Sequence, residues 1–531
     1  MFSIAGIVSQ DKKATSRLLF KMLQVLAQRR DQRVGICIEG EISFANRIED
    51  LDFSNLEGIT GIGGIWFGNS NALPRQEQPM LGDKGSAIVL NGQIYNKYEI
   101  YNQFLRNYMN IGTDVEAILY LFEEHLEQAT LTQAMRQTLA KLDGIYAFAI
   151  LNREKILIAR DPIGVKALYL GKIEDAFAFA SERKALWSLG IQHPTLVNPS
   201  QIIILDTKSM QQYSSGLELK KTRPSMITLN DAREKLRELL CNAIKKLIGI
   251  GEIGILFSGG LDSSIIAKIG KDLEADIMLY CAGFSNSKDL NNARHAAAIL
   301  DLPIHIVQLD LDAVESALPK ILTALEEPHP MNLAIAIPFF FATQLAKREG
   351  KVIVLCGQGA DESLGGYRRY MGILETEGYT ELHSHLQNDV IDLSIGLQRE
   401  YAISTATHVE FGFPFLDRTV LQFLFQLPAE YKIFKYNSNY IRKHILRLVA
   451  KDLGLPVQIY ERPKLAAQFG AGTHKALGAL AVKNGYTRLL TRKYGYQSRI
   501  QMYVDFLGNN IGILIPEQRK INLLQFLKNK I

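Results

Sequence analysis

Seven small or polar residues, Ser258-Gly259-Gly260-Leu261-Asp262-Ser263-Ser264, stand between an apolar run, EIGILF, and the apolar stretch IIAKIG. The run reads as a buried strand and the loop as its turn into a helix. Anions bind at such junctions: the first helical turn offers unpaired N–H groups and the positive end of a dipole, and paired glycines let the backbone approach a phosphate closely. Asp262 then faces phosphate oxygens, which makes electrostatic sense with a divalent cation between them. A turn of this composition can also do no more than cap its helix, but the strand and helix that the phosphate reading requires are both present. The loop does not end in Gly-Lys-Ser/Thr, so it is not of the Walker type.

A second strand-like run, KVIVLCG, leads into Gln358-Gly359-Ala360-Asp361-Glu362-Ser363-Leu364-Gly365-Gly366-Tyr367. Alone, Asp361 and Glu362 read as solvated helix-start charges stabilised by the dipole. Ligands of open α/β sheets gather at strand C-termini, however, so Asp361 and Asp262 are candidates to share one magnesium ion.

In order and spacing, SGGLDSS, GQGADESLGGY, the run from Glu410 to Asp417 (EFGFPFLD) and Arg462-Pro463-Lys464 resemble the synthetase domain of the asparagine synthetase family. SGGLDSS itself resembles the pyrophosphate loop of enzymes that adenylate a substrate. The resemblance covers almost the whole chain. It implies that Ser258 to Ser264 hold the pyrophosphate of ATP, that Phe257, Ala282, Cys356 and Gly357 line the adenosine site, and that Asp262 and Asp361 bind magnesium. Lys464, by itself a surface charge, would stabilise the negative charge that builds on the α-phosphate, and Asp361, Glu362 and residue 358 would complete the catalytic set. The family commonly has Glu where this chain has Gln358, and an amide cannot act as a carboxylate base.

The N-terminal part resembles the class II glutamine amidotransferase domain, whose mature chain begins with a nucleophilic cysteine. Asn91, Gly92 and Gln93 match the oxyanion-hole segment, and Asp114 matches the residue that holds the amino group of glutamine. Ala159 to Lys166 and Ala180 to Ala185 are further family segments. The cysteine position, however, holds Phe2, and the position of the arginine that binds the glutamine carboxylate holds Trp66. A phenyl ring is no nucleophile, and Ser3 without an adjacent base is a poor substitute. Two losses in one pocket argue against glutamine hydrolysis and for ammonia, free or from a partner glutaminase, as nitrogen donor.

Apolar residues make up 47% of the 531-residue chain and charged residues 22%, a composition that calls for buried cores and excludes disorder. The length calls for more than one domain. Short β-rich runs separated by turn residues, with helical stretches at Thr15–Gln28 and Thr113–Glu124, predict an α+β domain over residues 1–206, antiparallel sheets sandwiched with helices. A polar, aperiodic linker is expected over 207–227. The alternation of strand-like and helix-like segments after it predicts a doubly wound parallel α/β domain with a helical C-terminal part over 228–531. Thr228 and Asp231 form a capping box for its first helix. The apolar window Met331–Ala346 is too short and too interrupted to span a membrane and reads as a core helix.

Sixty basic and 55 acidic residues, unclustered, give a net charge of +5 and no nucleic-acid surface. Four separated cysteines suggest neither zinc nor disulfides, and no secretory leader is apparent, so a reducing cytoplasm is expected. His305 and His408 read as packing or hydrogen-bonding residues. The leading expectation is ATP- and magnesium-dependent formation of asparagine from aspartate and ammonia through an acyl-adenylate, with a second copy of the chain or a glutaminase as candidate partners. A β-lactam synthetase-like use of another carboxylate is the near alternative, although those relatives carry tyrosine at position 358. A non-catalytic nucleotide-binding regulator is the distant alternative.

Overall fold

A computed structural model describes residues 2–27, 32–67, 77–105, 112–249, 252–437, 439–462 and 467–528, with the backbone alone at Phe2, Phe67 and Ala467. The chain divides into two compact units, residues 1–219 and 220–531.

In the first unit, seven antiparallel strands run in the spatial order Thr195–Leu196, Tyr169–Ile173, Ala176–Ala180, Phe2–Ser9, Thr60–Phe67, Gln32–Ile38 and Glu41–Ala45. A second sheet has the order Met210–Ser214, Gln201–Leu205, Lys155–Arg160, Gly144–Asn152, Ser86–Ile94 and Met80–Leu81. The period-2 alternation of its strands explains the layering. Val89, Ala147 and Ile158 share a core with Ile4, Val8 and Ile62 of the first sheet. Their neighbours Leu90, Phe148 and Leu157 face the opposite way, under helices Asp114–Leu126 and Leu131–Lys141. Helix Lys12–Leu26 packs on Phe2–Ser9 and Thr60–Phe67.

That helix begins three residues before the expected Thr15, because the Asp11 side chain caps it by accepting from the amides of Lys13 and Ala14. Helices Lys97–Phe104, Leu131–Lys141 and Arg183–Trp187 lie where sequence periodicity gave no signal. The segment read as linker also differs. Met210–Ser214 is an edge strand paired with Gln201–Leu205, and its polar sequence, MQQYS, reflects an edge that faces solvent.

In the second unit, five strands are all parallel, in the order Ile304–Leu309, Ile277–Phe284, Ile253–Leu256, Ile353–Leu355 and Glu410–Gly412. From Ile253–Leu256 the chain builds outward through the two strands on one side, then crosses to the two on the other. The strand order therefore reverses beside Ile253–Leu256, and the loops after it and after Ile353–Leu355 flank that crevice. Helix Pro330–Arg348, the expected core helix, buries Leu333, Ile337 and Phe340. Beyond Arg369 the unit is mostly helical. Among the described residues no helix is long and apolar enough to cross a membrane.

Candidate functional site

Strand Ile253–Leu256 ends at Phe257, and helix Leu261–Asp272 starts from Gly260 as its N-cap. Gly259 makes the turn at φ +65°, and a Cβ there would lie 2.4 Å from the carbonyl oxygen of Asn292, so both the angle and the space require glycine. A cavity opens over this turn. Phe257, Ser258, Gly260, Leu261, Asp262 and Ser263 line it, together with Ala282, Cys356 and Gly357 from neighbouring strand ends. Gln358, Lys443, Arg447 and Arg462 complete its polar wall, and Phe339 and Ala342 its apolar one. Most of the residues singled out for ATP thus converge on one cavity. Gly259, Ser264, Asp361 and Glu362 are not part of its lining, and Lys464 falls outside the described residues. Arg462 donates to the carbonyls of Ser258, at 3.3 Å, and Gly259, at 2.8 Å, fixing the loop from outside. Burial pushes the Cys281 thiol, also in the wall, up to about 12, so it stays protonated.

Asp262 and Asp361 do meet, and a lysine joins them. Lys443 Nζ lies 2.8 Å from both oxygens of Asp262 and 2.6 Å from Asp361 Oδ1, and all three side chains are nearly buried. Lys443 sits at φ +53°, between strand Asn439–Arg442 and helix His444–Asp452. No motif announces it, since it lies far along the chain from both carboxylates. Gly366 makes room for the pair: a Cβ there would fall 1.8 Å from Asp361 Oδ1. Beside them, burial pushes the Glu362 carboxyl up and the charge of Asp361 adds to the effect, while the Tyr367 hydroxyl donates to Glu362 and opposes it. Gln358 donates from Nε2 to Glu400 Oε1 at 2.6 Å.

The motif Glu410–Asp417 supplies the last parallel strand, and Asp417 caps helix Arg418–Gln426 and pairs with Lys246 at 2.8 Å. His305 bonds Glu349 at 2.6 Å, and His408, at φ +57°, closes helix Gln398–Thr407. All four cysteines are free.

In the first unit, Phe2 and Trp66 are register partners on adjacent strands, and Phe44 meets the Trp66 ring edge-on at 6.2 Å. Asn91 is buried on strand Ser86–Ile94, which Gly92 and Gln93 continue. Asp114 opens helix Asp114–Leu126, where its carboxylate pairs with Lys97 at 3.2 Å, both side chains largely buried. Burial pushes the Asp114 carboxyl up, and Lys97 pulls it back. The residue matched to a ligand's amino group thus already holds an ammonium of this chain. Ser3 differs from its sequence reading, since its hydroxyl lies 3.3 Å from Glu182, whose other oxygen is held by Lys184. A carboxylate is nonetheless a weak base toward a hydroxyl. The family segment Ala159–Lys166 is explained by Arg160, fully buried, which donates to the carbonyls of Gly164, Lys166 and Val197.

The sequence matches the family model for asparagine synthase over residues 235–388 and 375–495, and that for a glutamine amidotransferase domain over residues 70–188. It is 31% identical to a putative glutamine-hydrolyzing asparagine synthetase 1 of Methanocaldococcus jannaschii, over 96% of this chain and 99% of that protein. Glutamine-hydrolyzing asparagine synthetase 2 of Arabidopsis thaliana is 29% identical over 75% of this chain and 69% of its own. The enzyme of Gallus gallus bearing the same activity in its name is 28% identical over 73% and 72%.

Proposed function

The chain belongs to the asparagine synthetase family of carbon–nitrogen ligases, and from that premise we propose that it converts aspartate to asparagine with ATP and ammonia, without hydrolysing glutamine. The observation that carries the ligase reading is the phosphate cradle at the switch point, with Asp262, Asp361 and Lys443 converging beside it. An oxygen of the aspartate side-chain carboxylate attacks the α-phosphorus of ATP, the bond to the β-phosphate oxygen breaks, and pyrophosphate leaves. Ammonia then attacks the acyl carbon, AMP departs with the bonding pair, and the nitrogen sheds a proton. Amide N–H groups of the Ser258–Ser264 turn bind the pyrophosphate, and Arg462 keeps that turn in place. Lys443, Arg447 and Arg462 supply positive charge in the cavity where negative charge builds.

The carboxylates suit a magnesium ion. They already converge on one cation beside the cavity, and carboxylate oxygens are the ligands this metal takes. Asp262 and Asp361 would hold the metal, which neutralises phosphate charge when bound.

Ammonia use runs against the names of the relatives and rests on residues of this chain. Phe2 offers no nucleophile, Trp66 no positive charge, and Lys97 takes up the carboxylate of Asp114. The four free cysteines suit a reducing cytoplasm. Aspartate labelled with oxygen-18 in its side-chain carboxylate tests the adenylation step. One label passes to AMP if the reading is right, and label in inorganic phosphate, with ADP formed, refutes it.

A further inference from the structure

Gln358, at the strand end beside the phosphate turn, is held from behind by a buried carboxylate. Its side chain lines the nucleotide cavity, and its Nε2 donates to Glu400 Oε1 at 2.6 Å. Glu400 lies in the first turn of helix Gln398–Thr407, fully buried and outside the cavity wall. The same oxygen accepts from Arg399, at 3.0 Å from Nε and 2.5 Å from Nη2. Arg399 is anchored in turn by Nη1 to Asn332 Oδ1 at 3.4 Å. The second carboxylate oxygen, Oε2, is buried with no hydrogen-bond partner.

A carboxylate accepts and does not donate, so the NH2 end of the Gln358 amide must face Glu400. The carbonyl Oε1 is then the free end, and no described residue donates to it. We propose that Glu400 is a positioning residue for the amination step: it locks the Gln358 amide with its carbonyl presented to the cavity, where that oxygen accepts an N–H of the incoming ammonia and aims the nitrogen lone pair at the acyl carbon. The carboxylate of Glu400 stands one hydrogen bond behind the amide, and the amide in front orients the nucleophile without taking its proton. In this step the C–N bond forms, the bond from the acyl carbon to the AMP oxygen breaks, and AMP takes the electron pair. The proton leaves to the departing phosphate or to water. This inference rests on the ammonia-dependent adenylation reading given above.

Glu400→Gln keeps the shape but gives the partner both a donor and an acceptor end, so Gln358 is free to turn over. The expected result is a rise of about tenfold in KM for ammonium, the worth of one oriented charge-assisted hydrogen bond. Aspartate-dependent exchange of labelled pyrophosphate into ATP, which needs no ammonia, should keep its wild-type rate and shows that the variant is folded. The Glu400→Gln/Gln358→Glu double variant restores a carboxylate–amide pair with its members reversed, and it should bring KM for ammonium back toward wild type. An unchanged KM in E400Q, an equal loss in exchange and amination, or no recovery in the double variant overturns the assignment. Wild-type protein without aspartate-dependent exchange would sink the adenylation reading and this inference together. Active wild type with an unaffected E400Q sinks this inference alone.

Discussion

Lys443→Met removes an ammonium that Asp262 and Asp361 share. Both carboxylates touch the same nitrogen, at 2.8 and 2.6 Å. Their oxygens therefore stand within about 5 Å of each other, a separation at which two unit charges repel by about 3 kcal/mol at an effective dielectric constant of about 20. Breaking a buried ion pair by deleting one partner costs about 3 to 5 kcal/mol in general, in accord with that figure. For a unit of this size the loss corresponds to a fall of about 5 to 8 °C in melting temperature. Scanning calorimetry of the full chain measures it. Magnesium added to the variant at about a hundred times its dissociation constant should return about 2.7 kcal/mol, because the metal replaces the missing charge. Wild type, where the ammonium already holds both carboxylates, should gain less from magnesium alone. A shift below about 1 °C would refute the electrostatic reasoning. So would a fall in melting temperature that magnesium leaves untouched.

Two further outcomes follow from buried side chains and missing ones. Lys432 is fully buried, pairs with no carboxylate among the described residues, and has its ammonium pulled down to about 7 by burial. Between that value and the ordinary lysine value near 10.4 the unfolded chain binds the proton more tightly, so wild-type stability rises with pH through this window. Lys432→Met should therefore raise the melting temperature most at pH 7 and below and least near pH 10, and equal gains across the range would contradict the assignment. Phe2→Cys should release no glutamate from glutamine, because the new thiol still lacks both a cation at Trp66 and an Asp114 free of Lys97. Glutamate detected by a coupled dehydrogenase assay would show instead that the pocket survives.

What the sequence made legible is the chemistry carried by contiguous residues. The turn Ser258–Ser264 could be read because its strand, its glycines and its helix follow one another. Lys443 and Glu400 could not be read in that way. Each reaches its partner through the tertiary fold, and neither a lysine at a strand–helix junction nor a glutamate in a helix carries a local sign of what it will touch. Lys97 was similarly silent until helix Lys97–Phe104 brought it to Asp114. The edge strand Met210–Ser214 was hidden for a different reason: only one of its sides has a strand to pair with and its side chains face solvent, so burial left no apolar pattern.

Ammonia as the nitrogen donor, proposed above for this family member, is tested most directly by product formation. Purified full-length protein with ATP, magnesium and aspartate should release pyrophosphate and form asparagine with ammonium chloride, and should do neither above background with glutamine. Equal asparagine formation from glutamine, with stoichiometric glutamate, would show instead that the chain hydrolyses glutamine.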